Sequence, residues 1–174
     1  MSNHDHLLSQ VPFPWQDAHW RRLDRLRINN QLAHAYLIAG SAGLGLRFFA
    51  DKFAHLLLCT QPETGRACAE CKQCVLSANN QHPDLLRVRP EGTSRAVKVE
   101  QIREAADFLS MTSHAGGPKI VIIEQSHQMN ASAANALLKP IKTQAPQKPP
   151  KPLTLYSSFF CTSWFVSKLF VNYT

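Results

Sequence analysis

The start of this 174-residue chain lacks both parts of a secretory signal. Met1-Ser2-Asn3-His4-Asp5-His6 is polar, with neither a basic stretch nor an apolar run. That lack bears on the cysteines. Without export, clustered thiols read better as a metal site than as disulfides, which persist in oxidising compartments. Acid is missing from residues 140–174, which carry four lysines and no Asp or Glu, against fifteen basic and twelve acidic residues in 1–139. The net charge of +7 is therefore largely a property of the tail. Such a balance permits contact with nucleic acid but does not establish it. A convincing membrane segment is also lacking. Leu153 to Val171 is long enough to span with tilt, but Lys168 and many hydroxyl residues make it a poor span. The expectation is a cytoplasmic protein with room for one domain and a sizeable core.

What is present alternates between strand and helix. Residues 15–34 predict a helix through Trp15, His19, Leu23, Leu26 and Leu32. Ala35-Tyr36-Leu37-Ile38-Ala39 predicts a buried strand ending at Gly40, and an apolar-rich helix follows from about Leu46 to Cys59. Residues 59–74 are polar and irregular, closing into a short helix near Val75-Leu76. Leu85-Leu86-Arg87-Val88 predicts a second strand, Val99 to Leu109 a helix, and Lys119 to Glu124 the strongest strand, buried on both faces. Ser132 to Lys139 begins another helix. This alternation implies an α/β fold with a parallel sheet. At Pro140 the character changes. Residues 140–152 hold five of the eleven prolines, and 153–174 hold seven aromatics with no clear period.

Gly40-Ser41-Ala42-Gly43-Leu44-Gly45 sits between the first strand and its helix, the context that a phosphate-binding loop requires. A working loop wraps phosphates with backbone N–H groups, neutralises them with a lysine and holds magnesium through a hydroxyl. Gly40 and Gly45 keep the spacing, but Leu46 stands at the lysine position and Arg47 at the hydroxyl position. Leucine offers no charge, and Arg47 could reach a phosphate but cannot ligate a cation. In Val121-Ile122-Ile123-Glu124-Gln125, Glu124 takes the metal-side position. Gln125 replaces the carboxylate that would activate water, and it cannot act as a general base. The candidate nucleotide-site residues are Gly40, Gly43, Gly45, Arg47 and Glu124, expected to be empty of ATP, with no catalytic residue. A plain strand-turn-helix with no nucleotide role is the alternative, because glycine spacing alone is weak.

The cysteines are more specific. Cys59, Cys68, Cys71 and Cys74 are spaced C-x8-C-x2-C-x2-C, enough for a closed tetrahedral zinc site of structural type. An iron–sulfur cluster also takes four cysteines. Glu70, Lys72 and Gln73 make the knot polar and favour zinc. Cys161 has no evident partner.

Taken together, these stretches resemble the clamp-loader AAA+ family, its delta-prime subunits of bacterial DNA polymerase III in particular. The resemblance rests on His34-Ala35-Tyr36-Leu37, the glycine loop, the four cysteines, His82-Pro83-Asp84 and Val99-Glu100-Gln101-Ile102-Arg103. It continues through Lys119 to Glu124 and Ala133-Ala134-Asn135-Ala136-Leu137-Leu138-Lys139, covering about residues 10–139. Gamma/tau subunits share these motifs but keep an intact lysine loop, so Leu46 and Arg47 favour delta-prime. The resemblance implies an incomplete AAA+ domain over 1–139, with helices on both sheet faces and an inserted zinc module at 59–74. It implies work in DNA replication with gamma/tau and delta subunits, loading the sliding clamp on primed DNA. It further implies no ATP hydrolysis by this chain, although the complex belongs to a DNA-directed DNA polymerase, a nucleotidyltransferase.

The family's next residues, Thr-Leu-Glu-Glu-Pro-Pro, are replaced by Pro140-Ile141-Lys142-Thr143-Gln144, and its Ser-Arg-Cys motif is absent. Pro140 is expected to break the helix, and 140–174 to form a tail of aberrant character. A frameshift or truncation near codon 140 would explain this, as would a natural short form with a Pro-rich linker. An exposed sheet edge would then favour aggregation. Rival functional readings are a phosphate-loop ATPase that uses Arg47, a zinc-bearing nucleic-acid-binding module, and a tail-anchored membrane protein.

Overall fold

The computed structural model describes residues 12–91, 96–143, 151–154 and 164–172. The polar start Met1–His6, Cys161 and residues 155–163 of the aromatic tail lie outside them.

Helix α1 spans Asp17–Ile28, strand β1 Ala35–Ser41, α2 Leu46–Leu58, α3 Lys72–Ala78 and β2 Leu85–Val88. Then come α4 (Val99–Ser110), β3 (Lys119–Ile123), α5 (Ala131–Thr143), β4 (Lys151–Thr154) and β5 (Trp164–Asn172).

Helix α1 stops six residues short of the expected 34, and its cap explains why. Asn30 takes a left-handed φ of +51°. Asn30 N–H donates to the Arg27 carbonyl at 3.0 Å and Gln31 N–H to the Leu26 carbonyl at 2.8 Å, which satisfies the last free carbonyls of the helix. Asn79-Asn80-Gln81 closes α3 the same way, with Asn80 at φ +56° and Gln81 N–H donating to the Leu76 carbonyl at 2.9 Å. One tripeptide thus serves as the stop signal twice. The apolar face of α1 also differs from expectation. Trp20 and Leu23 are buried, whereas Trp15 is 54% exposed.

Strand β3 organises the core. All five of its residues are buried, and alternate side chains serve opposite faces. Ile120 and Ile122 join Trp20, Leu23, Tyr36, Phe49 and Phe53 on the α1/α2 side. Val121 and Ile123 join Ile102, Ala105, Leu109, Ala133 and Leu137 on the α4/α5 side. Full burial stabilises by about 1.5–3 kcal/mol per aliphatic side chain. Four such residues therefore match the ~5–15 kcal/mol net stability of a domain. Helices cover both sheet faces, as expected.

The sheet order is β2-β3-β5-β1-β4. β2 pairs parallel with β3, and β1 parallel with β4. β5 runs antiparallel to both β1 and β3, between them. The sheet is thus mixed, which corrects the purely parallel expectation. Thr154 pairs with Ala39 and Trp164 with Ser41, so β4 ends and β5 begins beside the same end of β1, and the two strands flank it in opposite directions.

Two further expectations change. Pro140 does not end its helix, because α5 continues to Thr143. The proline sits in the last turn, where its missing N–H costs one bond and few residues remain to be propagated. The tail also adds strands to the sheet: β4 and β5 flank β1 on its two sides, and β2 and β4 are the sheet edges. Among the described residues no helix is long and apolar enough to cross a membrane.

Candidate functional site

Two constellations lie at the two ends of α2. At its N-terminus, Gly43 and Gly45 adopt φ of +86° and +72°, the left-handed region in which glycine is free of steric cost. Gly40 lies inside β1, buried and paired with Phe165 of β5. Gly45 is also tightly approached. A methyl group there would lie 2.5 Å from Phe13 Cε2. Phe13 stacks on Trp15 at 4.8 Å between ring centroids. Trp15 Nε1 and Gln16 Nε2 donate to the Leu44 carbonyl at 3.2 and 2.7 Å. The segment before α1 therefore clasps the loop from outside, a role that the sequence reading missed.

Leu46, at the lysine position, is buried in the α1/α2 core and presents no charge to a phosphate. Arg47 Nε lies 3.3 Å from Glu124 Oε1. The residues at the hydroxyl and metal-side positions of the motif are thus ion-paired with each other. Arg89 Nε lies 3.1 Å from the same oxygen, and Arg87 and Arg47 reach Asp51 at 2.9 and 3.8 Å. Gln125, next to Glu124, is held at φ +52°, a conformation few non-glycine residues adopt. Asp51 was legible as the i+4 neighbour of Arg47 on one helix face. Arg87 and Arg89 carried no such signal.

His82-Pro83-Asp84 has a structural task. Asp84 is fully buried. It accepts from Ser113 Oγ, His114 N–H and Ala115 N–H at 2.9–3.0 Å and lies 3.7 Å from Lys119 Nζ. Burial would raise its pKa, but the two backbone donors, the Ser113 hydroxyl and the Lys119 charge together hold it below the usual range.

At the C-terminal end of α2, Cys59 meets Cys68, Cys71 and Cys74. The four Sγ atoms all lie within 4.8 Å of one another, close enough to hold a metal ion. Cys59 and Cys68 sulfurs are 3.5 Å apart, Cys68 and Cys74 3.9 Å. A tetrahedron with Zn–S of about 2.3 Å has an edge of about 3.8 Å, so the set fits zinc. Backbone N–H groups of Cys68, Cys71 and Cys74 point at the sulfurs of Cys59, Cys68 and Cys71 at 3.3–3.4 Å, an arrangement that favours thiolates. Burial pushes the Cys71 thiol up, but hydrogen bonds from Thr60 and Cys74 outweigh it and bring its pKa to about 6. Burial holds the Cys74 and Cys59 thiols above their ordinary value. Trp20 Nε1 donates to the Gly65 carbonyl at 3.0 Å and ties the knot to α1.

Comparison with known proteins gives the family. A delta-prime subunit of DNA polymerase III from Pseudomonas aeruginosa is 42% identical over 130 residues, covering 75% of this chain and 39% of that protein. The delta-prime subunit of Escherichia coli K12 is 29% identical over 130 residues, with the same coverage of each chain. A tau/gamma subunit from Haemophilus influenzae is 33% identical over 114 residues, 66% of this chain and 16% of that one. The chain thus spans about two fifths of the length of the delta-prime relatives it matches here. The protein family described as DNA polymerase III, delta subunit, matches residues 15–148, nine residues beyond the expected limit of the resemblance, and the chain belongs to that family.

Proposed function

We propose that this chain is a delta-prime-like component of the clamp loader of DNA polymerase III, acting in DNA replication with gamma/tau and delta subunits and, through the complex, with the sliding clamp and primed DNA. In this reading it neither binds nor hydrolyses ATP, has no catalytic residue of its own, and works in the cytoplasm over a partial AAA+ unit at 1–139. The residues 140–174 are extra to that unit. The observation that carries the reading is the Arg47–Glu124 contact at 3.3 Å. Where a phosphate-loop enzyme needs a hydroxyl and a carboxylate facing a cation, this chain has a cation and an anion satisfying each other. Leu46 in the core and Gln125 beside Glu124 remove charge neutralisation and base chemistry as well.

Zinc held by Cys59, Cys68, Cys71 and Cys74 supplies a rigid cross-link. Sulfur separations of 3.5 and 3.9 Å, with all four sulfurs within 4.8 Å of one another, support one ion, since a cluster of several irons and sulfides needs its thiolates further apart. Four thiolates leave no open position, so the chemistry zinc supplies here is structural.

The test is reconstitution. The full chain, mixed with gamma and delta subunits of Pseudomonas aeruginosa, is expected to co-elute with them on a sizing column and to show no ATP turnover alone. Failure to co-elute, or turnover above a no-protein control, would sink the reading. A phosphate-loop ATPase that uses Arg47 would show the turnover. A zinc-bearing nucleic-acid-binding module would bind primed DNA alone and lose that binding when Cys68 is replaced.

A further inference from the structure

The four sulfurs of the cysteine knot are not equivalent. Cys59 and Cys74 are buried, at 9% and 1% exposure, whereas Cys68 and Cys71 are half-buried. A dissolved reagent therefore meets Cys68 and Cys71 first. Those two differ in turn. The Cys71 sulfur accepts from Cys74 N–H at 3.4 Å and from the N–H and hydroxyl of Thr60. The Cys68 sulfur accepts from Cys71 N–H at 3.4 Å. The thiolate is the nucleophile of a cysteine, and each donor draws charge from it and lowers its nucleophilicity. Thr60 thus quiets Cys71 and leaves Cys68 the more reactive of the accessible pair.

Cys68 also has a partner in place. Glu63 and Arg66 exchange backbone hydrogen bonds of 2.9 and 2.7 Å. Thr64 and Gly65 between them both take positive φ, +39° and +75°, the geometry of a two-residue hairpin turn. The turn brings the chain back so that Cys68 N–H meets the Cys59 sulfur at 3.3 Å. The Cys68 sulfur then lies 3.5 Å from that of Cys59, against 3.9 Å from that of Cys74. A disulfide needs about 2.05 Å, so the pair has about 1.5 Å to close. The turn is held by its own two bonds and by Trp20 Nε1 on the Gly65 carbonyl at 3.0 Å. None of these contacts uses a sulfur, so the pair stays together when no metal holds it.

We propose that Cys68 is a peroxide-reactive thiolate and that, with Cys59 as its resolving partner, it makes the metal knot a site of reversible oxidation. The Cys68 thiolate attacks one oxygen of hydrogen peroxide. An S–O bond forms, the O–O bond breaks, and hydroxide leaves and takes a proton. Sulfur loses two electrons and becomes a sulfenic acid; the peroxide gains them. The Cys59 thiolate then attacks that sulfur. An S–S bond forms, the S–O bond breaks, and a second hydroxide is protonated. In sum, two thiolates, one peroxide and two protons give one disulfide and two waters. Two of the four ligands are lost, so the zinc ion is released, while Cys71 and Cys74 stay reduced. This reactivity rests on the four cysteines holding zinc, and goes beyond it in that the cross-link can be undone.

The experiment uses the full chain purified with zinc, carrying Cys161→Ser so that the fifth thiol takes no part. Hydrogen peroxide is added and zinc release is followed with a chelating dye. Dimedone traps sulfenic acid at early times, N-ethylmaleimide blocks the remaining thiols, and the peptides are mapped by mass spectrometry. The expected result is an early dimedone label on Cys68, then loss of one zinc per chain, a Cys59–Cys68 disulfide, and alkylated Cys71 and Cys74. Dithiothreitol followed by added zinc should restore the starting state. Thr60→Val should spread the early label to Cys71. Retention of zinc under peroxide overturns the proposal. So does a first disulfide that contains Cys71 or Cys74, or an early label in Thr60→Val that stays confined to Cys68. A chain that carries no zinc before peroxide is added fails the metal reading and this reactivity with it, whereas zinc retained throughout leaves the metal reading standing.

Discussion

The two ends of α2 solve opposite electrostatic problems. At the N-terminal end the glycine loop has neither a lysine nor a cation-binding hydroxyl, and Glu124 is ion-paired with both Arg47 and Arg89. At the C-terminal end four thiols converge within 4.8 Å of one another. The first end pairs its charges internally, while the second gathers donors close enough to hold a metal ion. One helix of thirteen residues joins the two. Degeneration of a motif is thus no sign that its segment lost order. The loop keeps its left-handed glycines and its clasp from Phe13, Trp15 and Gln16 after the ligand chemistry has gone.

The contrast can be broken most severely at the cysteine end. Cys74 is almost fully buried. Structural zinc contributes about 10–16 kcal/mol in small modules, comparable with or above the ~5–15 kcal/mol net stability of a domain. Cys74→Ser is therefore expected to lose stoichiometric zinc and to lower the thermal midpoint sharply. Metal analysis of the purified variant and a melting curve check this; equimolar zinc with an unchanged midpoint would contradict the metal knot.

In the last turn of α2 the buried imidazole of His55 offers a pH test. Burial lowers its pKa to about 4, with Asp51 opposing and Arg87, Lys52 and His82 assisting. The unfolded chain takes up a proton near 6.5 that the folded one refuses until about 4. Stability is therefore full above 6.5 and falls as the pH drops through that window, by at most about 3 kcal/mol. Urea midpoints measured between pH 7 and 4.5 should shift downward in wild type and less in His55→Gln. Parallel curves for the two proteins would refute the assignment.

The smallest effect belongs to the glycine end. Gly45→Ala places a methyl group at φ +72°, 2.5 Å from Phe13 Cε2. The left-handed conformation alone costs about 1–2 kcal/mol, and the half-exposed Phe13 ring can move aside. Gly43→Ala at φ +86° meets nothing within 4 Å, so it should pay only the backbone cost. A larger loss at Gly43 than at Gly45 in chemical denaturation would show that the aromatic clasp has been misread.

Much of this was legible in advance. The glycine spacing, the apolar run at 119–124 and the cysteine spacing are local patterns, and the strands and helices expected before residue 140 fell near their bounds, whereas β4 and β5 were not expected. The misses have physical reasons. The α1 stop was misplaced because Asn30, not glycine, supplies the left-handed cap. The wrong aromatic was assigned to the core because Trp15 and Trp20 both suit an apolar face, and only packing against Phe49 and Phe53 chose Trp20. Arg87 and Arg89 were unmarked because nothing in their own neighbourhood points to Asp51 or Glu124.

The sequence by itself determined which chemistry was available: thiols for a metal, no lysine for a phosphate, and a buried strand ending in an acid. These are properties of residue type and short spacing, and no fold can add or remove them. Tertiary structure alone decided who neutralises whom and which way the tail runs. Arg47, in the first turn of α2, and Glu124, just past β3, stand 77 positions apart in the chain. Their contact is made where the helix that follows β1 starts beside the C-terminal end of β3, a meeting that two long side chains can span. The antiparallel placement of β5 rests on its pairing with β1 and β3 across the sheet, which no periodicity records.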